Sequence, residues 1–313
     1  MVQNKILLTI GIPVYNGESF IEDTINSIKI PKELQDKVDI VVSDNCSTDK
    51  TAEIVNKYSF IKYFKNDINI GYDRNIQNVF LKASGEFVWT IAADDVIIVD
   101  DAIEKIINYI EAYQKLSLIH VGGNQKIIGD HSYCKGEVFF SDSKLQSGFV
   151  STNIIRCKTW LSSDPTAFFD TGWIHFGVIM NIANTAESLV TKEKLVDENL
   201  RSKTLDKTWD SKGSSLVIML NLIKIFMNMG KLKYSKEVQY SAKMLIKNNY
   251  PKEIIKAKAK GLKVSKNLIF DFITCYKFFP SFWIIDLPFL LSPPFLCRYI
   301  YKKRNVLKKG NEI

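Results

Sequence analysis

Four aliphatic runs alternate with helix-patterned stretches in the first hundred residues, and each run ends in a polar cluster. Ile6 to Val14 is a nearly unbroken β-branched and aliphatic stretch, which predicts a strand buried on both faces. Val38 to Ser43 repeats the pattern, Ile61 to Phe64 predicts a short third strand, and Glu86 to Ile91 a fourth. Asn16-Gly17 is expected to cap a helix carrying Phe20, Ile21, Thr24, Ile25 and Ile28 on one face. Ser47, Thr48 and Asp49 offer N-cap chemistry to a second helix. Gly71 opens a third, with Ile76, Val79, Phe80 and Ala83 on one side and Gly85 closing it. Asp101 to Gln114 reads as a fourth amphipathic helix. This alternation predicts a doubly wound α/β sheet, and such sheets bind ligands beyond the carboxyl ends of their strands.

The polar clusters fall at those ends. Pro13-Val14-Tyr15-Asn16 follows strand one, Asp44-Asn45 strand two, Asn69 to Asn75 strand three, and Asp94-Asp95 strand four. Taken singly, each has a plain reading as a cap or a turn. Their shared edge points to a common ligand. A carboxylate after strand two can accept hydrogen bonds from a base or ribose. Adjacent carboxylates after strand four suit a hard divalent cation, which would bridge diphosphate oxygens and stabilise a nucleotide leaving group. Arg74, near a helix start, adds positive charge where phosphates could sit. The chain lacks G-x-G-x-x-G after strand one and G-x-x-x-x-G-K-[ST] anywhere, so dinucleotide-oxidoreductase and P-loop chemistry are without their defining loops.

Composition narrows the class further. Hydrophobic residues make up 46% of 313 and charged residues 24%, which excludes a disordered or collagen-like chain. Five scattered cysteines include no Cys-x-x-Cys pair, which argues against a disulfide scaffold or zinc knuckle and for a reducing compartment. The three histidines, His120, His131 and His175, lack metal-ligand spacing. Met1 to Leu8 lacks a basic segment followed by a long apolar core, so the expected location is the cytoplasm.

The segments TIGIPVYNG (Thr9 to Gly17), IVVSDNCSTDKT (Ile40 to Thr51), NIGYDRN (Asn69 to Asn75) and GEFVWTIAADD (Gly85 to Asp95) resemble the family-2 glycosyltransferases of GT-A fold, in order and spacing. The resemblance continues through GFVSTNIIRCKTW (Gly148 to Trp160), and TGWIHFGVIM (Thr171 to Met180) is similar to bacterial O-antigen, abequosyltransferase-like sugar transferases. It implies a GT-A (Rossmann-like) doubly wound mixed sheet and a metal-assisted inverting transfer of a sugar from a nucleoside diphosphate to a hydroxyl. By this resemblance Pro13, Tyr15 and Asn16 line a nucleobase pocket, and Asp44, with Asn45 beside it, binds base or ribose. Arg74 and Asn75 face ribose or diphosphate, and Asp94 and Asp95 hold a divalent metal, Mg2+ or Mn2+. The family's acidic residue two positions before the metal-binding aspartate is here Ala92. A base must take the acceptor proton. Asp170 and His175 are the candidates, with Trp173 placed to stack on a sugar ring. Alternatives are a catalytically degenerate sugar-nucleotide-binding protein and a nucleotidyltransferase. The latter would need a glycine- and lysine-rich loop where PVYNGES stands.

Charge divides the chain. Lys231 onward holds 18 Lys+Arg against 5 Asp+Glu, although the net charge is only +8, so a mildly acidic part carries a strongly basic one. The expected domains are 1–212, catalytic, and 213–313, helical, basic and apolar. Ser215 to Met229 is strongly apolar and reads as a helix, with a hairpin continuing to Lys247. Phe278 to Tyr301 is apolar but holds Asp286, Arg298 and four prolines, which suits an interfacial or re-entrant segment better than a spanning helix. Apolar insertion plus a basic cluster suffices for peripheral binding to an anionic membrane surface, here the inner face of the cytoplasmic membrane. No nucleic-acid module accompanies the charge. A lipid-linked, undecaprenyl-type oligosaccharide is the expected acceptor.

Overall fold

A computed structural model describes residues 5–123, 125, 127, 129–201, 213–228 and 234–310, with the backbone alone for 144, 145, 226, 245 and 305–310. The expected absence of a leader over Met1–Asn4, the boundary at 212, Met229 and the side chains of Lys308 and Lys309 lie outside the described residues. The chain forms two compact units, Met1–Leu205 and Asp206–Ile313.

The first unit is built on an eight-stranded mixed sheet. Its strands are β1 (Leu8–Val14), β2 (Val38–Asp44), β3 (Ile61–Lys65), β4 (Phe87–Thr90), β6 (Leu116–His120), β7 (His131–Cys134), β8 (Asn153–Arg156) and β9 (Glu187–Thr191), in the order β3-β2-β1-β4-β8-β6-β9-β7. A two-stranded ribbon joins β5 (Asp95–Ile97) to β10 (Val196–Glu198). Strands β1 to β4 run parallel; β8 lies antiparallel between β4 and β6; β6 and β9 are parallel. The carboxyl ends of β1, β2, β3, β4, β6 and β9 therefore share one edge.

The aliphatic runs became central strands because both faces are covered: every residue of β1 and of β4 is buried. Pro13 is tolerated in β1 because it lies beyond the last β1–β4 register pair, Gly11 with Thr90. Helix α1 (Ile21–Ser27) buries Ile21, Thr24 and Ile25, α2 covers Thr51–Val55, and α3 (Tyr72–Lys82) buries Ile76, Val79 and Phe80. Helix α4 (Ala102–Ala112) turns its isoleucines onto the sheet. One cap expectation is corrected. Asn16-Gly17 does not cap α1 with a side chain; the Asn16 carboxamide instead accepts from the Thr48 backbone N–H at 2.9 Å. The later elements α5 (Glu137–Ser143), α6 (Cys157–Ser162) and α7 (Ile174–Thr185) complete the unit.

The second unit is helical: Ser214–Asn228, Lys236–Lys247, Lys252–Ala259, Lys266–Tyr276, Leu287–Leu291 and Pro294–Gly310, with a π-helical turn at Phe282–Asp286. Among the described residues no helix is long and apolar enough to cross a membrane. Asp286, which interrupts the apolar stretch, is buried and paired with Lys247 at 3.0 Å. Lys258, also buried, donates to the carbonyls of Phe289, Leu290 and Ser292 and so closes the end of the Leu287–Leu291 helix.

Candidate active site

The loops beyond β1 and β2 are laced together by backbone-to-side-chain hydrogen bonds. The Asn16 N–H donates to Ser47 Oγ at 2.8 Å, the Gly17 N–H to Thr51 Oγ1 at 2.8 Å, and the Lys50 N–H to Glu18 Oε2 at 3.0 Å. Asp44 is fully buried: Oδ1 accepts the Ser47 N–H at 2.7 Å and Oδ2 the Tyr63 hydroxyl at 2.5 Å. Burial and this carboxylate push the Tyr63 phenol up. The Asn45 carboxamide accepts the Ile70 N–H and donates to Asn69, while Asn75 donates to the Ser43 carbonyl and accepts the Ser43 hydroxyl. Pro13, Asp44, Asn45 and Asn75 are thus buried and form the floor under the rim. A ligand can meet Tyr15, 45% exposed, and the half-buried Asn16 above them. Asn16 and Cys46 sit in the left-handed region at φ 52° and 67°, a strained conformation that clusters at binding sites.

The turn after β4 separates its two aspartates. Asp95 is 2% exposed and starts β5; its Oδ2 accepts the Ser151 hydroxyl at 2.5 Å, and Ser151 Oγ also accepts the Ala92 N–H at 2.9 Å. That geometry corrects the expectation of a paired metal ligand: the Asp95 carboxylate is spent inward, closed to solvent. Asp94 is half-buried on the rim, its carbonyl accepting the Asn199 N–H at 2.9 Å. No group of three His, Cys, Asp or Glu side chains able to hold a metal occurs among the described residues. A divalent cation fits here only with Asp94 as a protein ligand and with phosphate and water oxygens completing its shell, an arrangement usual for Mg2+.

Helix α3 opens at Gly71, whose φ of 85° a side chain would strain, and its first turn grips the loop before α7. The buried Asp73 accepts the Gly172 N–H at 2.8 Å and the Ile174 N–H at 3.1 Å. Burial raises its carboxyl while these amides oppose the rise. Arg74 forms a two-pronged pair with Asp170, at 2.5 and 3.0 Å, over the Phe169 ring. The pairing raises the guanidinium and holds the exposed Asp170 carboxyl below the usual carboxylate range. Asp170 itself lies at φ 62°. Tyr72, 46% exposed, sets its ring edge-on to His175 at 6.2 Å.

His175 sits as a packed residue rather than as a base open to the rim. It is 4% exposed, its Nε2 lies 2.8 Å from the Gly148 carbonyl, and its Nδ1 is buried with no partner among the described residues. Burial lowers it to about 4, so it is a neutral donor bracing Gly148 rather than a base open to a substrate. Trp173, half-buried, packs its ring beside His175 at 5.8 Å and Phe176 at 6.5 Å. A Cβ on Gly148 would meet the Trp173 ring at 3.2 Å, so glycine there allows the close approach. Sequence reading missed the bracing roles of Asp73 and Ser151. Asp73 stood inside a quoted motif; Ser151 had no local signal, its partners lying 56 and 59 residues upstream.

Residues 9–146 match the model of the family described as Glycosyl transferase family 2. The matched segment, less than half of the chain, is similar to the family 2 glycosyltransferase domain. Over 212 residues, 59% of this chain and 63% of the relative, the chain is 24% identical to abequosyltransferase RfbV of Salmonella typhimurium, so the match spans less than two thirds of that protein. Among solved structures, Staphylococcus aureus TarS 1–349 in complex with UDP-GlcNAc superposes with a TM-score of 0.58 at 17% identity, covering 88% of this chain and 81% of that one. The mannosyltransferase PcManGT of Pyrobaculum calidifontis, in complex with GDP-Man and Mn2+, gives a TM-score of 0.55 at 15% identity, covering 93% and 86%. The fold is GT-A-like, a large mixed sheet with helices, followed by a helical C-terminal region.

Proposed function

We propose that the protein is an inverting glycosyltransferase that moves a sugar from a nucleoside-diphosphate sugar to a hydroxyl of a lipid-linked oligosaccharide in bacterial surface polysaccharide synthesis. The carrying observation is the convergence of Tyr15, Arg74, Asp94 and Asp170 on the rim of four adjacent parallel strands, over a floor closed by Asp44, Asn45 and Asn75. A relative named as an abequosyltransferase, and folds solved with UDP-GlcNAc and GDP-Man, support a sugar nucleotide as donor.

In this reading the nucleobase lies against Tyr15 and Asn16, and Arg74 takes the diphosphate with its planar fork. Asp94 would hold Mg2+ or Mn2+, which supplies Lewis-acid stabilisation of the departing diphosphate. An acceptor hydroxyl oxygen bonds to the anomeric carbon on the face opposite the diphosphate. The carbon–oxygen bond to phosphate breaks with its electron pair, and the hydroxyl proton passes to Asp170. Paired with Arg74, Asp170 is a weak base; when the diphosphate takes the fork, the carboxylate is released and its basicity rises. Trp173 stacks on the acceptor ring.

The second unit suits a peripheral contact with an anionic membrane. Phe278, Ile284, Phe295, Tyr299 and Leu291 are 84%, 75%, 68%, 63% and 60% exposed, a concentration of apolar surface that marks an interaction face. Arg298 and Lys302 lie on the same helical stripe as Phe295 and Tyr299 by their spacing, and no acid occurs from Leu287 to Gly310.

The test is release of nucleoside diphosphate from a panel of sugar nucleotides with a lipid-linked acceptor, read by mass spectrometry. Turnover with one donor and its loss in Asp94→Ala, at unchanged thermal stability, are expected. Wild-type turnover in that variant refutes the role of Asp94. A binding-only reading draws on Ala92 and on the engagement of Asp95 by Ser151; nucleotide binding without turnover of any donor would establish it.

A further inference from the structure

A cavity of about 490 Å³ opens at the same sheet edge, bounded by Val121 beyond β6, by Lys192, Lys194 and Leu195 beyond β9, and by Gln146, Phe149 and Thr152 ahead of β8. Two links join its walls to the β4 turn. Thr152 follows Ser151, which holds both Ala92 and Asp95. Val196 and Asp197 on another wall pair in β10 with Ile97 and Val96 of β5.

The lining has a distinct chemistry. Ser143 is 1% exposed, and its hydroxyl has no hydrogen-bond partner among the described residues. A buried hydroxyl left unpaired is destabilising, so its presence in a cavity wall calls for a ligand group or water. The Lys192 ammonium has no ion-pair or hydrogen-bond partner among the described residues, whereas Lys194, on the same wall, is paired with Asp197 at 2.6 Å. Gln146 adds a carboxamide, and Phe149 an apolar ring. Hydroxyl and carboxamide groups suit a polyol, the apolar strip suits the C–H face of a sugar ring, and an uncommitted cation suits an acid.

We infer that this cavity is a subsite for an acceptor sugar bearing an anionic substituent, a carboxylate or a phosphate, with Lys192 reading the charge and Ser143 a ring hydroxyl. The assignment rests on the glycosyl-transfer reading above and deepens it by naming the acceptor's chemical class.

The test is saturation-transfer NMR on the full chain with glucuronic acid, glucose 1-phosphate and methyl glucoside as probes, alongside calorimetry with UDP and GDP. One of the two acids is expected to bind about tenfold more tightly than the neutral glycoside, the range of one charge-assisted hydrogen bond. The acid that does so identifies the substituent. Lys192→Gln should bring that acid within about twofold of the glycoside, leaving nucleotide affinity and thermal stability unchanged. Ser143→Ala should weaken all three sugars alike. Equal binding of charged and neutral probes, or a preference that survives Lys192→Gln, overturns the assignment while nucleotide binding persists. Loss of nucleotide binding in Lys192→Gln also overturns it, because the cavity then belongs to the donor. Failure of the wild-type chain to bind either nucleotide overturns instead the reading on which the subsite rests.

Discussion

Asp73 ties the start of α3 to the loop that carries Asp170, and its removal should disconnect the two halves of the rim. Asp73→Ala deletes the acceptors of the Gly172 and Ile174 amides, at 2.8 and 3.1 Å. Hydrogen bonds to a charged group contribute about 1.5–3 kcal/mol each, so the gross loss is about 3–6 kcal/mol. Relief of a buried carboxylate, whose burial raises its carboxyl, returns part of that, leaving about 2–3 kcal/mol. For a unit of this size such a loss lowers Tm by about 5–10 °C. Loss of the Arg74–Asp170 register should lower kcat/KM by about 10–100-fold. Asp73→Asn keeps one acceptor oxygen and should fall between. The assays are thermal melting, donor turnover, and hydrogen exchange at Gly172 and Ile174. Wild-type protection of those two amides in Asp73→Ala, together with wild-type turnover, refutes the latch.

Other expectations follow from the same geometry. Arg74→Lys loses the two-pronged geometry and should raise the donor KM about tenfold, the equivalent of about 1.4 kcal/mol, in steady-state kinetics; an unchanged KM removes Arg74 from the diphosphate site. His120 and His175, both buried and lowered from 6.5 to about 4, take up protons more readily unfolded. Stability is therefore full above pH about 6.5 and is lost as pH falls toward about 4, by about 3 kcal/mol per histidine. Urea midpoints between pH 7 and 4.5 should flatten in a His175→Gln variant, and a slope identical to wild type removes His175 from the account. Replacing Phe278, Ile284 and Phe295 together with serine should move the chain from pellet to supernatant in sedimentation with phosphatidylglycerol-rich vesicles, since burying each side chain is worth about 1.5–3 kcal/mol; undiminished pelleting refutes the apolar contact.

The parallel half of the sheet was legible because its strands are buried on both faces, which writes long aliphatic runs into the sequence. The β5–β10 ribbon was not: three residues such as Val196–Glu198 carry no period, and the pairing spans a hundred residues. The metal-turn reading failed at Asp95 for a related reason. Two adjacent aspartates look alike in sequence, yet Asp94 lies in the turn while Asp95 begins β5, and Ser151 waits on the inner side. Asp286 read as a flaw in an apolar run because its partner, Lys247, lies 39 residues upstream.

The same separation explains why the motif residues divide into two kinds. Asp44, Asn45, Asp73, Asn75 and Asp95 are buried and accept from backbone amides or neighbouring side chains; their chemistry is spent on holding loops at a strained edge. Arg74, Asp170 and Tyr15 stand outside that web, with Asp94 half-exposed at its border. A rim residue can change without loosening the floor, so its loss should appear in kinetics with little change in melting. A floor residue cannot, because an unpaired buried donor costs stability before any substrate arrives. Ala92 fits this division. Its backbone N–H is held by Ser151 whatever its side chain, so replacing an acid there removes a ligand from the rim without disturbing the turn that presents Asp94. Ala92→Asp should therefore leave Tm within about 1–2 °C of wild type, as for a surface change, and tighten divalent-cation binding read by calorimetry. A large fall in Tm would show that the turn tolerates no second carboxylate and that its side chains, not Ser151, set its shape.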